Sequence, residues 1–135
     1  MVPIHKFSRA RSQMSRITDE VQAGGLAVVE RRGFRMLLTS FDEQRELLEG
    51  GFEFHPEVLL DGDGVGIWLP ELPVHGQGET LEQAEDDVID AALDYADMWF
   101  DQLHRAPNHV GNRGWVWRLA MADDRDALRR VLFGR

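Results

Sequence analysis

Apolar residues recur at helical spacing over two stretches of the chain: Ala10, Met14, Ile17 and Val21, and later Leu81, Ala84, Val88, Ala91, Ala92, Tyr95, Trp99 and Leu103. Each spacing predicts an amphipathic helix with one buried face. Ser8 is positioned to cap the first helix, which Gly24-Gly25 ends near Ala23, while Thr80 with Gln83 forms a capping box for the second, running to about His104. Elsewhere in the first part the pattern shortens. Val2–Phe7 reads as a first strand, and Leu26–Arg31 and Phe34–Ser40 read as a hairpin turned at Arg32-Gly33, where glycine supplies the positive φ. Ser40 with Glu43 opens a short helix, Phe41–Glu49, and Gly50-Gly51 closes it and marks a boundary between residues 1–50 and 51–135.

Beyond the boundary, Phe52–Leu60 and Val65–Leu69 form a second predicted hairpin around Asp61-Gly62-Asp63-Gly64. After the long helix come a loop with Pro107, Asn108, Gly111, Asn112 and Gly114, a strand over Trp115–Met121 and a last helix over Asp124–Phe133. The chain has no internal repeat and no low-complexity tail.

At 135 residues and 43% hydrophobic content, the chain can bury a core in one ordinary domain or two small ones. Cysteine is absent, which removes thiolate chemistry and disulfides and fits a reducing compartment. No apolar run reaches the roughly 20 residues needed to span a bilayer, and the amino-terminal stretch lacks the apolar middle of a signal peptide, so a cytoplasmic protein with no membrane association is expected.

The net charge of −9 conceals two segments of opposite sign. Residues 1–35 carry seven Lys or Arg against three carboxylates, giving +4; residues 36–135 carry eight against 21, giving −13. No Lys or Arg lies between Arg45 and Arg105. Arg9, Arg11, Ser12 and Arg16 cluster near the start of the first helix, where free backbone N–H groups favour an anion such as phosphate. The alternative is an ordinary solvated face, which the acidity of the remaining chain makes the weaker reading. The span Glu79–Asp101 holds nine carboxylates and no base; it is either a solubilising face or a surface for a basic partner. Trp99 belongs to the core by its spacing, while Trp115 and Trp117 share a face of the predicted strand and serve either as core or as interface anchors.

Enzymatic readings fare poorly. Asp61, Asp63 and Glu71 are imaginable as metal-binding carboxylates of a nuclease, but the glycines around the first two explain them as a turn. A calcium loop starting at Asp61 fails because Val65 and Leu72 occupy ligand positions. The five histidines lack zinc spacing. Gly76-Gln77-Gly78 is too short to cradle phosphate and reads as a loop ahead of Thr80. No catalytic residue, metal or cofactor is predicted.

The residues Phe7-Ser8-Arg9-Ala10-Arg11, Val21-Gln22-Ala23-Gly24, Val28-Val29-Glu30-Arg31-Arg32-Gly33 and Met36-Leu37-Leu38-Thr39-Ser40 together resemble the amino-terminal domain of the Phd/YefM (prevent-host-death) antitoxins. The resemblance implies an α+β fold whose first part is a β-α-β-β-α dimerisation and DNA-binding domain. It also implies a homodimer that represses its own operon, with Arg11 and Arg31 facing operator DNA and Lys6, Ser8, Arg9, Ser12 and Arg32 beside them. Glu30 departs from the family's small polar residue at that position, and strand alternation is expected to turn it away from Arg31. The letters VGIWLPELP and GQGETLEQAEDD are similar to the HicB-like antitoxin domain, a partial ribonuclease H fold built here from a small hairpin plus helix. That similarity implies that the acidic second part neutralises a cognate, ribonuclease-like toxin, with Asp86, Asp87, Asp90, Asp94, Trp115 and Trp117 as candidate contacts. A stand-alone repressor or adaptor is the rival reading, and a metal-dependent nuclease the third.

Overall fold

The computed structural model describes residues 2–135, apart from the side chain of Asp61. The chain divides into two compact units, Met1–Leu47 and Leu48–Arg135. The first comprises β1 (Ile4–Lys6), α1 (Phe7–Ser12), α2 (Met14–Gln22), β2 (Ala27–Arg31), β3 (Phe34–Leu38) and the start of α3 (Phe41–Gly51), inside which the division falls. β1 runs parallel to β2, a pairing that needs a crossover, and α1 and α2 supply it. β3 returns antiparallel from β2 through Arg32 (φ 52) and Gly33 (φ 79), both left-handed, which is the turn that matches the twist of a two-residue hairpin.

The first helix is broken where the sequence predicted continuity. Gln13 leaves helical geometry at φ −115, ψ 19, and the Ser12 hydroxyl donates to the Arg9 carbonyl at 2.9 Å, competing for an acceptor of the last turn. The break shifts the phase of the apolar stripe, so Ala10 and Ile17 are buried, Val21 is half-buried and Met14 is exposed. Ser8 does not cap: the chain passes from strand directly into helix at Phe7, and Lys6 occupies the cap position without a capping bond from its side chain. At α3, Glu43 N–H donates to Ser40 Oγ at 3.3 Å, and Gly50 and Gly51 are the last two residues of the helix rather than lying just beyond it. The core of this unit is Ala10, Ile17, Ala27 and Val29, with Val21 and Leu38 packed against them.

In the second unit β4 (Glu57–Asp61), β5 (Gly64–Leu69) and β6 (Val74–Gly78) form an antiparallel meander in that order. On it lies α4 (Leu81–Asp101), followed by two short 3-10 turns, α5 (Arg113–Ala120) and α6 (Arg125–Phe133). The architecture is therefore a three-stranded sheet with three helices, larger than the expected hairpin plus helix. The first strand is shorter than Phe52–Leu60 because Phe52 and Phe54 instead pack on Trp115, each with ring centroids 5.0 Å from it. Thr80 caps α4 by accepting from Gln83 N–H at 3.2 Å, and Gln83 Oε1 reaches back to Glu79 N–H at 2.9 Å.

Gly76-Gln77-Gly78, expected to be a loop, is the body of β6. A Cβ on Gly76 would collide with the backbone and side chain of Val88, and one on Gly78 with Gln83. These glycines are the gap through which α4 approaches the sheet, burying Ile67, Leu69 and Val74 against Ala84, Val88 and Ala92. The segment Trp115–Met121 is helical, not a strand: Val116 and Leu119, three residues apart, enter the core that contains Leu128 and Leu132. We expect Gly76→Ala to destabilise this unit by about 1–3 kcal/mol through overpacking, read as a lowered midpoint in chemical denaturation, whereas an unchanged midpoint would contradict the close approach.

Candidate DNA and partner surfaces

One hairpin arginine reaches the junction between β1 and α1. Arg31, at the end of β2, places its guanidinium 4.8 Å from the centroid of the Phe7 ring, a cation–π contact that ties the hairpin to the first residue of α1. Arg11 is four residues after Phe7, on the same side of that helix. Ser8, Arg9, Arg11, Ser12, Arg31 and Arg32 are all exposed, and Arg32 is lifted at the turn by its positive φ. Ser12 has its hydroxyl engaged with the Arg9 carbonyl. α1 is six residues long, with Arg9 and Arg11 in its last turn, so the expected long-helix dipole does not act on an anion there.

Lys6 and Glu30 face each other across the parallel β1–β2 pair, and their side chains form an ion pair. The hydrogen bond from Lys6 and its charge, with a smaller contribution from Arg35 across the hairpin, hold the Glu30 carboxyl below its ordinary range. Glu30 is thus neutralised within the sheet, and Lys6 is its partner. The same face carries an apolar row in register, Ile4, Val28 and Leu37, of which Leu37 is 57% exposed and Ile4 48% exposed.

In the second unit four of the eight carboxylates of α4 (Glu85, Asp86, Asp87 and Asp90) are answered from within. Arg125 of α6 bonds Asp90 at 2.7 Å and the Asp86 carbonyl at 3.2 Å, and the bond to Asp90 raises the Arg125 pKa above its ordinary value. Arg129 pairs with Asp86 and, at 3.3 Å, with Glu85. Glu85 is 2% exposed and also meets Arg135. Asp87 accepts from Gln77 N–H at 2.9 Å, closing that position of β6. Of the four aspartates singled out in the sequence, Asp94 has no partner among the described residues. Trp115 is half-buried between Phe52 and Phe54 while Trp117 is 45% exposed; two residues apart on a helix, they do not share a face.

Three arrangements escaped the sequence reading. Tyr95 Oη lies 2.8 Å from His109 Nδ1 and accepts from Asn112 Nδ2 at 2.8 Å, and Trp99 Nε1 donates to the His109 carbonyl at 3.0 Å, which ties the loop to α4. Glu71 takes both the N–H and Nδ1 of His55, at 2.8 and 3.0 Å. The α6 arginines sit 35 to 44 residues from their partners in sequence, a separation no local pattern reveals. Among the described residues, no three His, Asp or Glu side chains gather as a metal site; the Asp61 side chain named in the nuclease reading lies outside them. Among them, no helix is long and apolar enough to cross a membrane.

Breaking a buried ion pair from one side leaves an uncompensated charge. Arg129→Met leaves Glu85 with Arg135 as its one remaining partner among the described residues and is expected to destabilise the second unit by up to about 3 kcal/mol, and adding Glu85→Leu is expected to recover most of that loss. Denaturant unfolding of the single and double variants decides it; a single variant with wild-type stability would mean that the buried carboxylate does not depend on Arg129.

A family model described as PHD_like, antitoxin of toxin-antitoxin, RelE/RelB, TA system, matches residues 1–132. The fold is similar to a solved structure from Syntrophomonas wolfei subsp. wolfei, described as an antitoxin part of a proposed toxin/antitoxin system. That match has a TM-score of 0.83 and 16% sequence identity, covering 98% of this chain and 97% of that one. A search of curated proteins finds no match. With a family model covering nearly its whole length, the chain belongs to the PHD-like antitoxin family of RelE/RelB toxin-antitoxin systems.

Proposed function

We propose that this antitoxin has two working parts: a Phd/YefM-type first unit that binds operator DNA as a homodimer and represses its own operon, and a HicB-like second unit that neutralises a ribonuclease-like toxin in the cytoplasm. It does so as a regulator, without catalysis or cofactor. The observation that carries the DNA reading is the stacking of Arg31 on Phe7, which brings the hairpin arginine beside the helix bearing Arg9 and Arg11. Phosphate binding needs several cations on one surface, and residues 1–35 provide them at +4 while the remainder of the chain repels DNA. Arg11 and Arg31 are the central contacts, with Arg9, Arg32, Ser8 and Ser12 around them and Lys6 supporting through Glu30.

One copy offers few cations, and two related by a two-fold axis would double them on a palindromic site. The apolar row Ile4, Val28 and Leu37 is the surface we assign to that second copy. On the toxin side, the second unit carries seven arginines against eighteen carboxylates, giving −11, a field that accelerates encounter with the basic surface of an RNA-binding toxin. Asp94 and the exposed Trp117 are the contacts best placed for it, since Asp86, Asp87 and Asp90 are engaged within the chain and Trp115 is half-buried.

A mobility-shift titration on the DNA just upstream of the gene tests the first half. We expect a shift at low salt that weakens by about 1–3 kcal/mol in Arg11→Ala or Arg31→Ala where the arginine reads a base, with a shallower salt dependence where it meets phosphate. No shift by the wild-type protein would overturn the repressor reading, and wild-type affinity in both variants would remove this surface from it.

A further inference from the structure

The two edges of the second sheet are treated differently. β6 is covered by α4, and the Gln77 N–H on it is taken by Asp87. β4 is the opposite edge, and among the described residues no strand pairs with its outer side. Its three central residues are apolar and strongly exposed: Val58 at 52%, Leu59 at 60% and Leu60 at 81%. Val58 and Leu60 pair with Ile67 and Val65 and so lie on the sheet face that carries the core, while Leu59, opposite Gly66, lies on the other. Apolar residues on both faces are the pattern of a strand with neighbours all round, and it is left here at a border. Proteins ordinarily guard such edges with lysine, proline or a bulge; β4 carries none of these, and no Lys or Arg occurs from residue 46 to 104.

We propose that β4 is an acceptor strand for the toxin, which adds a strand of its own, flanked by Lys or Arg, to the outer edge of this sheet. The proposal rests on the toxin-neutralising reading above. The hairpin turn is Gly62-Asp63, with Asp61 facing Gly64, so the hydrogen-bonded pairs towards β5 fall at Asp61, Leu59 and Glu57. The N–H and C=O groups of Val58 and Leu60 therefore point outward, available to an incoming strand. Charge selects the occupant. A second copy would bring to this edge another strand from a stretch that holds carboxylates and no Lys or Arg, leaving Glu57 without an opposite charge. A partner strand with a basic residue opposite Glu57 meets it favourably and covers Val58 and Leu60 with its apolar side chains. Beside Leu59, a groove of about 740 Å³ shared with Gly66, Gln77 and Glu79 offers a seat for the partner's side chains on the other face.

Leu60→Pro removes one outward N–H that the protein's own sheet does not use, a substitution edge strands tolerate. The test is to co-express the full-length chain with the toxin encoded by the neighbouring open reading frame, then to measure affinity and amide hydrogen exchange with and without the toxin. The expected result is exchange at Val58 and Leu60 at least tenfold slower in the complex than in the free chain. Affinity is expected to fall about tenfold in Leu60→Pro, with operator binding unchanged. A toxin complex in which the Val58 and Leu60 amides exchange as in the free chain overturns the strand addition and leaves the toxin reading standing. Protection already present in the free protein and rising with its concentration would make a second copy the occupant and overturn the proposal. Should Leu60→Pro fail to fold, the wild-type exchange decides alone. Failure of the wild-type chain to bind the toxin overturns the toxin reading and this proposal with it.

Discussion

The scarcity of burial in the first unit is the constraint from which the functional reading grows. Four buried residues, two of them alanine, hold together a sheet of three short strands and two short helices. Units of this size bury a smaller fraction of their surface than larger domains and usually draw on a metal, disulfides or another chain for stability. The protein has no cysteine, and no metal cluster exists among the described residues. What it does have is a second, open sheet face with Ile4, Val28 and Leu37 in register. In our account a second copy closes that face, and the same symmetry brings two sets of Arg11 and Arg31 to one duplex.

The second unit is built on the opposite principle. Its core is extensive because β6 surrenders side chains at Gly76 and Gly78, letting α4 settle onto the sheet. The dense carboxylates of α4 are then balanced from the carboxy-terminal helix, with Arg125 and Arg129 answering Asp90, Asp86 and the buried Glu85. A run of acid that looks from the sequence like a free surface is therefore partly structural. The charge that remains outward, together with the bare edge of β4, is what the unit presents to others.

Much of this was legible before any coordinates. Helical spacing located α4 and its buried face, the Thr80–Gln83 cap marked where it begins, and Arg32-Gly33 marked a two-residue hairpin. These features depend on neighbours within a few residues. What escaped depends on distant partners or on competing local bonds. The first helix breaks at Gln13, beside the bond of the Ser12 hydroxyl to the Arg9 carbonyl; Val116 and Leu119 are helical and share one core with α6; and the glycines of β6 make sense only once Val88 stands over them. Strand alternation correctly separated Glu30 from Arg31, but nothing local showed that Lys6 neutralises it. The arginines proposed for the DNA surface are named from the sequence alone; the contact of Arg31 with the ring of Phe7 was not legible there.

Sedimentation equilibrium of the full-length chain, alongside Leu37→Glu, tests the central claim most directly, because the whole repressor account depends on the open face being shared between two copies. The account predicts a wild-type mass of twice 15.4 kDa and, in the variant, a monomer whose first unit has lost its structure. A wild-type chain that sediments as a stable, fully folded monomer would contradict it.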